Sequence, residues 1–96
     1  MEYIGVIKHI GETVQVSEKF RKRDFVVSSE GEQYPQLISF QANQDRVDML
    51  DNVAIGDKVK VLFGLNGREW KNPAGEIKYF NTLVAFSVVK ETKDNF

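Results

Sequence analysis

The 96-residue chain has no cysteine, a single histidine, two prolines and almost no net charge (−1). Each scarcity removes a class of function. Without cysteine, a disulfide scaffold, a thiolate zinc site and a cysteine nucleophile are excluded. With His9 the only histidine, no imidazole pair can hold a metal and a Ser–His–Asp triad lacks corroborating parts. No apolar run approaches the ~18 residues of a membrane-spanning helix, so no membrane partner is expected. The first residues read as a strand instead of a basic-then-apolar leader, which sets the expectation of a cytoplasmic protein. Gly64-Leu65-Asn66-Gly67 lacks the lysine and following helix of a phosphate-binding loop. The acids form no recognisable metal cluster, and His9 lies in a strand between Lys8 and Ile10. No catalytic residue, metal or cofactor is therefore expected. The near-neutral total also excludes a uniformly basic surface, so nucleic-acid binding would need a local arrangement.

The composition that remains, 42% hydrophobic and 28% charged, is that of an ordinary globular chain. Its length suits one domain, expected over residues 1–90, with a short frayed tail over 91–96.

Period-two alternation dominates, with β-branched and aromatic residues in short runs. A first strand is predicted over Glu2–Val16, bent at Gly11, since glycine within a strand marks a bulge or tight bend. A second covers Phe20–Ser29 and is closed by Glu30-Gly31-Glu32; a third covers Tyr34–Ala42. A short helix follows, with Asn43 as N-cap, Asp45 in its first turn and Val47, Leu50 and Ala54 on one face. Ile55-Gly56-Asp57 ends it. A fourth strand covers Lys58–Trp70 and a fifth Glu76–Lys90. Between them, Asn72-Pro73-Ala74-Gly75 places proline where a type I turn wants φ near −65° and glycine where φ is positive. Three strands, a short helix and two strands are the order of an all-β, five-stranded Greek-key OB-fold barrel. A small SH3-like barrel is the alternative, which the helix between strands three and four disfavours.

Parity sorts the faces. In the fourth strand Val59, Val61, Phe63 and Leu65 point to the core, leaving Lys58, Lys60, Arg68 and Trp70 on the other side. In the fifth, Phe80, Thr82, Val84, Phe86 and Val88 form the apolar set, opposite Tyr79, Asn81, Leu83, Ala85 and Ser87. Trp70 and Tyr79 are thus both expected on the outer side or tip of the hairpin. In the third strand Tyr34, Gln36, Ile38 and Phe40 share one side and Pro35, Leu37, Ser39 and Gln41 the other. Periodicity favours burial of the first set, while a binding sheet would want Tyr34 and Phe40 outside.

An exposed ring beside cations has a definite use. Stacking a base on an aromatic side chain is worth about 1–3 kcal/mol with little sequence preference, and lysine or arginine neutralises phosphate. Lys19-Phe20-Arg21-Lys22-Arg23 puts four cations and a ring at the start of the second strand. The loops between strands one and two and strands four and five border the OB ligand face. This run sits at the first loop; Arg68, Lys71 and Lys78 sit at the second. The competing reading is a lysine-rich edge that blocks sheet-to-sheet association. Asp45, Asp48, Asp51 and Asp57 gather around Arg46 on the helix side, which predicts a molecule with one basic and one acidic end.

Arg68-Glu69-Trp70-Lys71-Asn72-Pro73-Ala74-Gly75-Glu76-Ile77-Lys78-Tyr79 resembles the fourth-to-fifth-strand hairpin of bacterial and phage single-stranded-DNA-binding proteins. Tyr34-Pro35-Gln36-Leu37-Ile38-Ser39-Phe40 resembles their third strand, where two rings six residues apart stack on bases. The similarity spans about residues 25–88, and a group of uncharacterised bacterial OB proteins resembles the chain as well. The resemblance implies stacking by Trp70, Phe40 and Tyr34, with Tyr79 matching the pattern, and it moves Tyr34 and Phe40 to the outside. Tyrosine stands at Tyr34 where the family usually has tryptophan. The mixed-charge Lys93-Asp94-Asn95-Phe96 is unlike the family's acidic, phenylalanine-ending tip, so tail-mediated recruitment is not expected. Lys60, Arg68, Lys71 and the Arg21-Lys22-Arg23 run are added on electrostatic grounds.

The function expected is non-enzymatic, sequence-independent binding of single-stranded DNA in replication, repair or recombination. RNA is left open as a partner, because the discriminating 2′-hydroxyl contacts depend on geometry. The resemblance implies a homo-oligomer, dimer or tetramer. The alternative from another class is an OB module for protein–protein assembly, with Trp70, Tyr34 and Phe40 as anchors. Charge reversal at Arg21 and Arg23 is the expected discriminator.

Overall fold

Alternation of β-branched and aromatic residues with polar ones produces six strands, seen in a computed structural model that describes residues 1–31 and 33–91. They are β1 (Glu2–Ile10), β2 (Val14–Ser17), β3 (Phe20–Ser28), β4 (Leu37–Asn43), β5 (Lys58–Lys71) and β6 (Ile77–Lys90), with a 3-10 helix over Gln44–Asn52 between β4 and β5. β1 and β2 are the first predicted strand, broken at Gly11, whose N–H donates to the Asp24 carbonyl at 2.8 Å. Neighbouring strands run β1–β5–β6–β4–β3–β2, and β1 also pairs with β3. That extra pairing closes β1, β5, β6, β4 and β3 into a ring. All pairings are antiparallel except β4 with β6, which is parallel and consists of one residue pair, Gln41 opposite Val84.

β1 serves two neighbours: its first half pairs with β5 and its second with β3. The two pairings meet at Val6, which lies opposite both Ser28 and Lys58, and at the adjacent Gly5 a Cβ would collide with the Ser28 carbonyl oxygen and lie 2.8 Å from Val27 Cγ1. Only glycine permits this close approach.

The core is built from inward positions of all five ring strands and the helix: Ile7, Phe25, Val27, Phe40, Ala42, Leu50, Val59, Val61, Ala85 and Val88. Phe40 is its centre, with ring centroids 5.4 Å from Phe25, 5.0 Å from Phe63 and 6.1 Å from Tyr3.

Several expectations are corrected or refined. The third strand starts at Leu37, so Tyr34 lies in the connection from β3. The helix is 3-10: Val47 and Leu50, three apart, are buried, while Ala54 lies beyond it and is exposed; i and i+3 eclipse in this geometry. Asn43 occupies the N-cap without a side-chain capping bond. In β6 the inward set changes parity at a bulge, since Leu62 faces Ser87 but Phe63 faces Ala85. The extra residue, Phe86, is left outside, half exposed, over Gly64 and beneath the Arg46 guanidinium at 5.5 Å. Ala85 and Leu83 replace Phe86 and Phe80 as core-facing residues. Leu65 is exposed because β5 has by then passed the barrel rim.

The β5–β6 hairpin continues well beyond the ring, which accounts for a longest dimension of 60 Å. Its turn matches the sequence reading: the Gly75 N–H donates to the Asn72 carbonyl at 2.9 Å, Gly75 has φ +90°, and Asn72 Oδ1 accepts from the Glu76 N–H at 2.8 Å. Glu91 N–H donates to the Lys58 carbonyl at 2.8 Å, anchoring the first residue of the expected tail. Residues 92–96, with the Lys93–Phe96 segment, and Glu32 lie outside the described residues.

Candidate nucleic-acid interface

The outward positions of β3 and β4 and the projecting hairpin enclose an open groove of about 660 Å³. Val16, Phe20 and Lys22 form one wall, Gln41, Asn43, Thr82 and Val84 the floor across the β4–β6 junction, and Leu65–Arg68 the other wall. Register explains the selection. Lys22 pairs with Val14 and Asn43, so these share one face; Gln41 and Val84 meet at the junction.

The same parity that turns Lys22 to the groove turns its neighbours away. Arg23 donates from Nε to the Gly11 carbonyl at 2.8 Å, and from a terminal nitrogen to the Val47 carbonyl at 3.3 Å and Asp51 Oδ1 at 2.9 Å. Arg21 approaches Asp45 at 3.5 Å and Asp48 at 3.7 Å. These two arginines clamp the 3-10 helix to β3. The expected separation of a basic from an acidic end is therefore overturned, because the acids of the helix lie against Arg21 and Arg23. Charge reversal there would strike the fold, and Lys22 is the residue of the run placed to meet a ligand.

On the hairpin, Arg68 faces Phe80 and Trp70 faces Lys78 across the strands. These four share the face that continues the groove, with Arg68 5.5 Å from the centroid of the Phe80 ring. Trp70 is 46% exposed and Phe80 43%. Tyr79 faces Glu69, and Lys71 faces Ile77, so Tyr79 and Lys71 lie on the reverse face. The expectation that Trp70 and Tyr79 decorate one side is corrected: nine residues of separation around a tight turn put them on opposite faces.

The remaining candidates separate from this group. Phe40 is 1% exposed and cannot stack on a base from the outside; burial, the reading of strand periodicity, holds over the resemblance. Tyr34 is 77% exposed, in the β3–β4 connection. Lys60 is ion-paired to Glu2 at 3.2 Å and lies ten residues along β5 from Trp70, about 33 Å at strand rise. Phe20, the ring of the Lys19–Arg23 run, lines the groove as that run suggests; Gln41, Asn43, Asn66, Thr82 and Phe80 join the site without having been expected there. Their signal was the polar Ser39/Gln41 side of the third strand; Phe80 was hidden by the bulge.

A ring closed through β1–β3 and β4–β6, a short helix between the third and fourth ring strands, and a groove framed by the two characteristic loops define an OB-fold barrel. The chain belongs to the family described as Domain of unknown function (DUF3127), which matches residues 2–89. No curated protein matches its sequence. Among solved structures, it resembles the mitochondrial single-stranded DNA binding protein Rim1 of S. cerevisiae (TM-score 0.68, 16% identity, 94% of this chain and 91% of that one). A small single-stranded DNA-binding protein from Streptomyces coelicolor aligns with TM-score 0.60 at 13% identity (95% and 92%). An SSB from Plasmodium falciparum, in complex with ssDNA, aligns with TM-score 0.57 at 16% identity (88% and 82%). At these identities the likeness is one of fold. Among the described residues no group of three or more His, Asp or Glu could hold a metal ion, and no helix is long and apolar enough to cross a membrane.

Proposed function

We propose that this barrel binds single-stranded DNA along the groove, by base stacking on Trp70, Phe80 and Phe20 and phosphate neutralisation by Lys22, Arg68 and Lys78. The observation that carries the reading is the hairpin face on which Arg68, Trp70, Lys78 and Phe80 stand together, continuous with a groove containing Phe20 and Lys22. Rings supply attraction to any base, and cations supply the salt-sensitive part. Solved proteins of the same fold are named for this ligand, which supports the reading. Coating of exposed strands in replication, repair or recombination is the setting such binding suits. RNA competes on the same surface, and oligo-U against oligo-dT measures the preference.

One groove with few cations gives modest affinity, so we infer a homo-oligomer, dimer or tetramer, that presents several. Ile4, Leu62, Phe86 and Val89 are 43–54% exposed on the outer face of β1, β5 and β6, a surface suited to a second copy. Titration of Trp70 fluorescence with oligo-dT at low and high salt tests the function. Quenching that weakens with salt is expected; no quenching at low salt refutes it.

A further inference from the structure

Beside the groove, the barrel wall has a notch. β4 and β6 share one residue pair and diverge on its Leu37 side, leaving an opening of about 480 Å³, within the range of small-molecule pockets. Its apolar lining is Leu37, Ile38, Leu83 and, at its buried base, Phe40; its polar lining is Asp24, Ser39, Gln41, Asn81 and Thr82. Gln41 and Thr82 also line the groove, so the two spaces adjoin. Asp24 pairs with Gln41 across β3 and β4, and is exposed. Among the described residues no hydrogen bond or ion pair engages its carboxylate, whereas the acids of the helix meet arginines.

A carboxylate beside a proposed DNA path repels phosphate, so it must meet another part of the strand or oppose binding. The geometry points to a subsite for one guanine base, its ring over the accessible apolar side chains Leu37, Ile38 and Leu83 and its Watson–Crick edge against Asp24. This inference rests on the proposed function and adds one selective position to an otherwise sequence-tolerant groove. The chemistry distinguishes the bases. Guanine presents two adjacent donors, N1–H and the 2-amino group, which match the two oxygens of a carboxylate as a bidentate pair. Cytosine and adenine present an amino donor beside a ring-nitrogen acceptor, whose lone pair faces the second oxygen. Thymine presents a single N–H between two carbonyl oxygens, both repelled. Asn81 is part of the same lining, and its side-chain amide can donate to guanine O6. A good bidentate contact discriminates by about tenfold or more, and unpaired strands leave the Watson–Crick edge open for it.

The test uses the full chain and oligo-dT carrying one central dG, dI, dC or dA, with all-dT as reference. The dG oligonucleotide is expected to bind about tenfold tighter than all-dT. The dI oligonucleotide, which lacks only the 2-amino group, should lose most of that gain. Asp24→Asn should erase the dG preference while strengthening all-dT binding, because a negative charge leaves the edge of the groove. Its near-UV circular dichroism and melting should match the parent, since the exposed side chain holds nothing in place. Binding of all-dT without dG preference, equal binding of dG and dI, or a preference that survives Asp24→Asn overturns the guanine subsite while leaving the proposed function intact. Failure of every oligonucleotide to bind overturns both.

Discussion

Arg23→Ala and Lys22→Ala, adjacent in sequence, should separate stability from binding. Arg23 makes two bonds to backbone carbonyls and one to Asp51, with its side chain 20% exposed. The Asp51 carboxylate is largely exposed, so that ion pair is worth about 0–1 kcal/mol. The carbonyl bonds are charge-assisted and part-buried, and losing them leaves acceptors of Gly11 and Val47 without this partner; such bonds net about 1.5–3 kcal/mol each when buried, less when water can replace them. Together the truncation should cost about 2–3 kcal/mol. For a domain of this size that lowers Tm by about 8–24 °C, and the cost is a large share of a total stability of about 5–10 kcal/mol. Lys22→Ala makes an outward substitution away from any clamp and should change stability by less than ~0.5 kcal/mol. It should instead reduce the slope of log K against log salt for oligo-dT by about 0.7, the value of one phosphate contact on a single strand. Thermal melting followed by circular dichroism and salt-dependent titration read the two quantities. Equal melting of the two variants, or loss of the salt slope in Arg23→Ala at unchanged Tm, would refute the parity argument.

Trp70→Ala should weaken oligo-dT binding by about 1–3 kcal/mol, one stacked base, whereas Tyr79→Ala on the reverse face should leave it within twofold; parallel anisotropy titrations decide. Gly5→Ala should destabilise by about 1–3 kcal/mol, as overpacking does, because the added methyl meets the Ser28 backbone as well as a side chain; urea denaturation measures it. Leu62→Glu places a charge within the outer apolar face and should shift the assembly to monomers by light scattering, with melting of the monomer little changed.

The order of elements was legible because each strand carries its own alternation and the Asn72–Gly75 turn its own chemistry. Which side of each strand does what was harder. The β6 bulge changes parity at one residue, and nothing local in Phe86-Ser87-Val88 announces an extra position. Phe80 was accordingly assigned inward and missed. The Arg21-Lys22-Arg23 run looked like a single patch in composition, yet period-two geometry divides it, and the helix acids that claim Arg21 and Arg23 are more than twenty residues away. Phe40 shows the reverse error: alternation placed it in the core, and a family resemblance at the level of spacing moved it out. The notch and its carboxylate depend on where β4 and β6 diverge, a tertiary fact absent from either strand alone.

That parting is where the cylinder is weakest. A single rung holds one margin of the wall to the other, so amides flanking it should exchange with solvent sooner than those of the long β5–β6 ladder. A polymer threaded across both lips would act as a clasp, and saturating guest should slow that exchange and raise the melting point together.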